Sequence, residues 1–165
     1  KINGSAQILR QKSILDVLSS RVDAKYYLSD RIKPTILADG SGNFISKSEI
    51  NQLTARPLTA TMVKMHRACQ DNYYSDAFIN SKDPIEFVKL PIEKEVLKKQ
   101  RIRRLTPREA LALQGFNSDF YDNAVKAGLS DHQLYKQAGN AVSINTVYAI
   151  LHYILISNRI MEYVL

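Results

Sequence analysis

Apolar residues follow two regimes along the chain. Beyond about residue 100 they recur at helical spacing; before it they come in short runs broken by turn residues. The clearest helix is "LTPREALALQGF", residues 105–116. Thr106 can cap it, Pro107 fits the first helical position where no amide donor is needed, and Glu109 at the third position completes a capping box. Ala110, Leu111 and Leu113 propagate the helix, and Gly115 can stop it. The last segment, "VSINTVYAILHYILISNRIMEYVL", sets Ile144, Val147, Leu151 and Ile154 on one stripe, widened by Ile150 and Leu155, with Ser143 as N-cap. A helix this apolar has to bury most of its surface. The turn-rich first hundred residues offer few long apolar partners, which points to a larger core supplied from elsewhere.

In that first part, "SILDVLSS" predicts a short helix with Ile14, Leu15 and Leu18 on one face. "KPTILADGSGNF" predicts an extended run and a turn, because Pro34 biases its predecessor toward extended geometry and residues 39–42 are turn formers. "FISKSEI" and "ARPLTATMVKM" carry β-branched residues in partial alternation, as strands or extended loops do. Residues 66–87, rich in Asn, Asp, Ser and Tyr, predict a loop that carries side chains for a purpose. "QLYKQAGNAV", residues 133–142, predicts a turn into the last helix. There Gly139 permits a tight turn or a close backbone approach, and Lys136, Gln137 and Asn140 offer polar groups. Either a ligand site or a plain structural turn satisfies that pattern.

Charge narrows the picture. The 165 residues carry a formal net charge of +7, and much of the excess lies in "EKEVLKKQRIRR". Lys94, Lys98, Lys99, Arg101, Arg103 and Arg104 crowd together there, which favours a phosphate-bearing partner over a merely solvated basic surface. Cys69, the single cysteine, excludes an intrachain disulfide and suits a reducing compartment. The first residues hold no apolar run of signal type, and Asn145, His152, Ser157, Asn158 and Arg159 interrupt the longest apolar stretch. The expectation is a cytoplasmic protein with no membrane partner. No GxGxxG, phosphate-loop or HExxH pattern is present, and His66, His132 and His152 are far apart, so no metal site is expected. His66 and Arg67 stand three and two residues from Cys69, a spacing that only weakly suggests an activated nucleophile.

"IRRLTPREALALQGF" and "QLYKQAGNAVSINTVYAI", in their order and separation, closely resemble the last two conserved blocks of DNA cytosine-5 methyltransferases. "ARPLTATMVKMHRACQDNYYSDAFI" resembles the target-recognition region before them. The resemblance covers roughly residues 30–155. It implies methyl transfer from S-adenosylmethionine to carbon 5 of a cytosine flipped out of duplex DNA. In that family a Pro-Cys block supplies the nucleophile and a Glu-Asn-Val block engages the ring; neither block, nor the FxGxG loop, nor Gln-x-Arg-x-Arg, occurs here.

The resemblance therefore implies an α/β fold. Residues 1–100 form a small, mixed, strand- and loop-rich recognition domain, and residues 101–165 are helices completing a Rossmann-like domain from another chain or a missing segment. The expected partners are duplex DNA and an N-terminal catalytic subunit or fragment that supplies the nucleophile, as a heterodimer, with the chain alone inactive and no catalytic residue of its own. Gln137, Asn140, Ala141 and Val142 are implied at the cofactor. Thr59, Thr61, Lys64, His66, Arg67, Gln70, Asn72, Tyr73, Tyr74, Arg103 and Arg104 are implied at DNA. Arg108, Glu109, Gly115 and Phe116 are implied as interdomain structure, with Arg108 and Glu109 as an anchoring pair. Restriction-modification and regulatory methylation both fit. The competing class is a noncatalytic, sequence-specific DNA-binding module derived from such an enzyme; an RNA-methylating component ranks below both. Although Cys69-Gln70 mimics the family's Pro-Cys-Gln, Ala68 replaces the proline. Cys69 is therefore expected to be a small packing residue whose change to serine leaves methyl transfer by the reconstituted enzyme largely intact.

Overall fold

The computed structural model describes residues 13–157 except Val63, Met65 and His66. His66 and the residues beyond 157 thus lie outside what is described. The chain opens with a one-turn 3-10 helix, Ile14–Asp16, closed by a capping box between Ser13 and Asp16. A second 3-10 turn, Ala24–Tyr26, follows, then helix α1 (Lys33–Ile36). Strands β1 (Gly40–Ser41) and β2 (Phe44–Ile45) form a small antiparallel hairpin. An irregular stretch leads to β3 (Tyr73–Ser75), α2 (Asp76–Ile79), α3 (Pro84–Lys89) and α4 (Lys94–Lys99). Strand β4 (Ile102–Arg104) is followed by α5 (Pro107–Leu113), α6 (Ser118–Lys126), α7 (Asp131–Asn140) and α8 (Ile144–His152), which runs into a π turn, Tyr153–Ser157.

The central pairing is β3 with β4, antiparallel, with Tyr73 opposite Arg104, Tyr74 opposite Arg103 and Ser75 opposite Ile102. On the other side of β4, Leu28 donates its amide to the Ile102 carbonyl at 2.8 Å and Tyr27 bridges Arg103. Asn51 extends the sheet by side chain as well as backbone. Its amide reaches the Tyr73 carbonyl at 3.0 Å, and its Oδ1 accepts from the Ser75 amide at 2.7 Å. The price is a left-handed backbone, φ 61°, which Asn tolerates better than most residues.

Three apolar clusters fill the interior, and each joins early residues to late ones. Tyr26 and Met62 pack with Ala110, Leu111, Leu134, Tyr135 and Ala138. Leu28, Ile36, Leu37, Ala68 and Tyr73 pack with Ile102. Ile14, Tyr74 and Phe78 pack with Leu105. Helices α5 and α7 therefore find their apolar partners within this chain. Helix α8 leaves Val147, Ile150 and Leu151 exposed, and the π turn after it leaves Ile154 exposed.

Several local expectations change. The capped helix after Thr106 forms as read: Thr106 accepts from Glu109, Glu109 reaches back, and Gly115 (φ 89°) ends it with the Phe116 amide on the Leu111 carbonyl. The segment around Pro34 is helical instead of extended. Proline suits a first turn, and the fully buried Ile36 and Leu37 draw the turn inward. Of the expected loop, residues 67–72 are irregular, but residues 73–79 form β3 and α2 and residues 84–87 begin α3, because Tyr73, Tyr74 and Phe78 are core side chains. Residues 133–140 continue α7 to Asn140; the turn is confined to residues 141–143. Among the described residues no helix is long and apolar enough to cross a membrane.

Candidate functional site

The basic start of β4 is divided between interior and surface. Arg103, 1% exposed, points inward, and both its terminal nitrogens meet the equally buried Glu109 carboxylate at 2.9 Å. Arg103 also donates to the Ser19 carbonyl at 2.8 Å and the Arg104 carbonyl at 3.1 Å. Glu109 accepts the amides of Ser19 and Thr106, each at 2.7 Å. Every strong acceptor is used, as a buried ion pair requires. Arg103 and Glu109 thereby tie the entry segment, β4 and α5 together.

Helix α7 meets the "PLTAT" turn at a point with no room to spare. A Cβ on Gly139 would overlap the Thr59–Ala60 peptide, so only glycine lets that backbone sit on the helix. The turn is closed by Met62 and Lys64 amides bonding to the Thr59 and Thr61 carbonyls at 3.2 and 2.9 Å. Its other end is held by Asn72. That side chain accepts from the Arg56 amide at 2.8 Å and donates to the Arg56 carbonyl at 3.1 Å, as a neighbouring strand would. Thr59, Thr61 and Lys64 are left exposed, as are Gln137 and Asn140 on α7, and Val142 beyond them is 71% exposed.

The N-terminal end of α7 is clasped from the entry segment. Asp131 accepts from the Tyr26 hydroxyl at 2.9 Å and pairs with Lys25 at 2.7 Å. Partial burial opposes ionisation of Asp131, but the bonds from Lys25 and Tyr26 outweigh it and hold the carboxyl below its ordinary value. Burial, then the Asp131 contact, pushes Tyr26 up to about 12. A depressed carboxyl stabilises the fold above 3.8 and loses that contribution as pH falls through its lowered pKa. A raised tyrosine contributes fully below 10.0 and loses it as pH rises through about 12. Denaturation of D131N beside the parent should show a parent advantage of about 1 kcal/mol or less at neutral pH, since the pair is partly exposed. That advantage should vanish below the lowered pKa; an equal gap in strong acid would contradict the clasp.

The structure relocates several of the residues expected at DNA. Tyr73 and Tyr74 are core residues whose hydroxyls burial pushes far up. Asn72 is a buried backbone bracket and Arg103 a buried ion-pair member, so neither presents itself to a ligand. The alternation of β3 is lost because its three residues are buried on both faces. Arg67 is half-buried, Gln70 exposed and Arg104 partly exposed. The anchoring pair is also re-partnered: Glu109 joins Arg103, while exposed Arg108 pairs with Asp122 and lies 4.3 Å from the Tyr121 ring centroid. Consecutive helical residues point about 100° apart, so Arg108 and Glu109 serve different surfaces. Phe116 packs against the α5–α7 cluster, and its ring lies 4.5 Å from that of Phe120. Cys69 is half-buried in the turn that follows Ala68. Sequence reasoning missed Asn51, Tyr26 and Asp131. Their signals, a lone Asn and a Tyr and Asp 105 residues apart, have no local period.

The fold matches part of a solved methyltransferase. It is similar to the solved Entamoeba histolytica methyltransferase EhMeth, with a TM-score of 0.62 and 21% identity over 86% of this chain and 40% of that one. The model of the family described as C-5 cytosine-specific DNA methylase matches residues 4–155, and the chain belongs to that family. Methyltransferase M1.ScrFI of Lactococcus lactis subsp. cremoris, named as type II, is 32% identical over 137 residues, 82% of this chain and 29% of that protein. The orphan methyltransferase M.SPRI of Bacillus phage SPR is 46% identical over 52 residues, 32% of this chain and 12% of that protein. The chain thus spans less than a third of the length of these curated relatives. S-adenosylmethionine is the cofactor of this family, as the resemblance implied.

The split-enzyme expectation is overturned. In these relatives the matched segment belongs to one longer polypeptide, and in EhMeth the matching fold lies within a single chain. A second chain completing the fold, a heterodimeric partner supplying the nucleophile, and a chain inactive for want of that partner are therefore set aside. The physical reason is visible in the cores: α5 and α7 pack on Tyr26 and Met62, so elements from both sides of residue 100 share one core.

Proposed function

We propose that the chain acts in cytosine-5 methylation of duplex DNA, reading the duplex with elements of residues 1–100 and contributing to the cofactor pocket with elements of residues 101–165. The carrying observation is Gly139. Its missing side chain seats the Thr59–Ala60 peptide on α7, so the turn that carries exposed Thr59, Thr61 and Lys64 packs directly on the helix that carries exposed Gln137 and Asn140. A target carbon inside a stacked duplex is inaccessible, so reading the groove and placing the cofactor have to be coupled rigidly.

S-adenosylmethionine supplies an electrophilic methyl group. Exposed Gln137 and Asn140 amides fit its polar amino-acid end, Val142 offers an exposed apolar contact, and Ala141 brings no hydroxyl. On the DNA side, Thr59, Thr61, Lys64, Arg67, Gln70 and Arg104 remain available, and His66 is carried from the family resemblance. Arg and Gln side chains suit base edges, whereas Lys64 suits phosphate. A type II setting, as in M1.ScrFI, is favoured over an orphan one by the longer match, 137 residues against 52. A bacterial cytoplasm fits relatives from bacteria and phage.

The test is label transfer. Ultraviolet irradiation with tritiated S-adenosylmethionine should label the chain, and selection from a mixed-sequence duplex pool should retain one sequence context. Duplex binding without labelling by the cofactor would instead favour the noncatalytic DNA-reading module. K64A should weaken binding about equally on all sequences and lower the salt slope by about one; a change in sequence preference would make Lys64 a base reader. C69S should retain cofactor and duplex affinity, and loss of either would make Cys69 more than a packing residue.

A further inference from the structure

The α7–α8 turn has two helix ends to satisfy and almost no means of its own. Helix α7 stops at Asn140, where Ala141 turns extended, so the Ala138 carbonyl loses the amide four residues on that would complete its helical bond. Helix α8 begins at Ile144, whose amide precedes any intrahelical acceptor. Ser143, at the N-cap position, makes no side-chain capping bond. Within the turn, the Ala141 amide reaches the Gln137 carbonyl at 2.9 Å and the Val147 amide reaches that of Ser143 at 3.0 Å. The span between these bonds must be held from outside.

One residue does so at both ends. The Gln114 side-chain amide donates to the Ala138 carbonyl at 2.9 Å, and the Gln114 carbonyl accepts the Ile144 amide at 2.8 Å. Gln114 occupies the C-cap of α5, a helix pinned by the Arg103–Glu109 pair. Immediately after it, Gly115 takes φ 89°, and a Cβ there would stand 3.0 Å from the Ile144 side chain and 2.9 Å from that of Asn145. Helix α8 is thus drawn against the end of α5 where Gln114 can reach both helices.

We propose that Gln114 is the positioning residue of the α7–α8 turn, holding its two ends so that Gln137, Asn140, Ala141 and Val142 present one fixed surface to S-adenosylmethionine. Gln114 itself is not a cofactor contact. It acts by satisfying one orphaned group on each helix, which removes the alternatives a loose turn would sample. The proposal rests on reading that turn as part of the cofactor pocket.

The experiment compares Q114L and Q114E with the parent protein. Leucine keeps the bulk and the main-chain bond to Ile144 but removes the donor; glutamate keeps size and polarity, and its carboxylate cannot donate to Ala138. Cofactor affinity by calorimetry should fall about ten-fold in both, the size of one lost hydrogen bond. Amide exchange at residues 141–144 should accelerate, while duplex affinity by fluorescence anisotropy stays at the parent value. Unchanged cofactor affinity with unchanged exchange would overturn the proposal, as would an equal loss of duplex affinity, which marks general damage. If Q114L does not fold, Q114E decides alone. If the parent itself binds no cofactor, the pocket reading fails, and the exchange arm still decides whether Gln114 holds the turn.

Discussion

Replacing Glu109 with alanine is expected to cost about 3–5 kcal/mol of unfolding free energy, the cost typical of stranding one member of a buried ion pair. Arg103 would keep its charge, 1% exposed, with only the Ser19 and Arg104 carbonyls as acceptors. The amides of Ser19 and Thr106 would lose their acceptor as well. The double variant R103M/E109L should recover part of the loss, because it removes both charges while keeping apolar bulk. It should not recover all of it, since the backbone groups around the pair stay unsatisfied. Urea denaturation of the two singles and the double, closed as a cycle, reads the coupling. A cost below about 1 kcal/mol for E109A would mean that the pair behaves like an exposed one.

The second large effect has an unusual sign. In an open helix, glycine to alanine stabilises by about 0.8–1 kcal/mol through backbone entropy. G139A should do the reverse and destabilise by about 1–3 kcal/mol, because the new methyl would occupy the Thr59–Ala60 peptide. Main chain cannot rotate aside as a side-chain tip can, so α7 and the "PLTAT" turn must separate. Duplex and cofactor affinity should fall together, because the faces proposed for both ligands meet at that contact. Stabilisation by about 1 kcal/mol in a denaturant titration would show that the helix and turn are not in contact.

These two sites differ in how far the sequence revealed them. Thr106, Pro107 and Glu109 announce a capped helix through spacing alone, and the capping box forms as expected. The same Glu109 is also the buried partner of Arg103, six residues away, and nothing in a capping box implies that. Arg103 looked like its neighbour Arg104 because side-chain direction in a strand alternates, and the chain by itself does not say which face is inside. Tyr73 and Tyr74 looked like surface groups among Asn and Asp, yet pairing with β4 puts the whole of β3 in the interior. Gly139 was read as permitting either a tight turn or a close approach; α7 continues through it, and the approach of Thr59 and Ala60 explains it.

The sequence by itself determined what local rules govern: helix starts and stops, the basic excess, and the two blocks whose order carries the family resemblance. Such features depend on residues a few positions apart, so their physics is complete within a short window. Only the tertiary structure decided that α5 and α7 bury themselves on Tyr26 and Met62, that Asn72 brackets Arg56, and that Gln114 joins two helix ends. Each of those contacts pairs groups distant in sequence whose requirement, an orphaned carbonyl or an uncovered apolar face, exists only after the elements have packed.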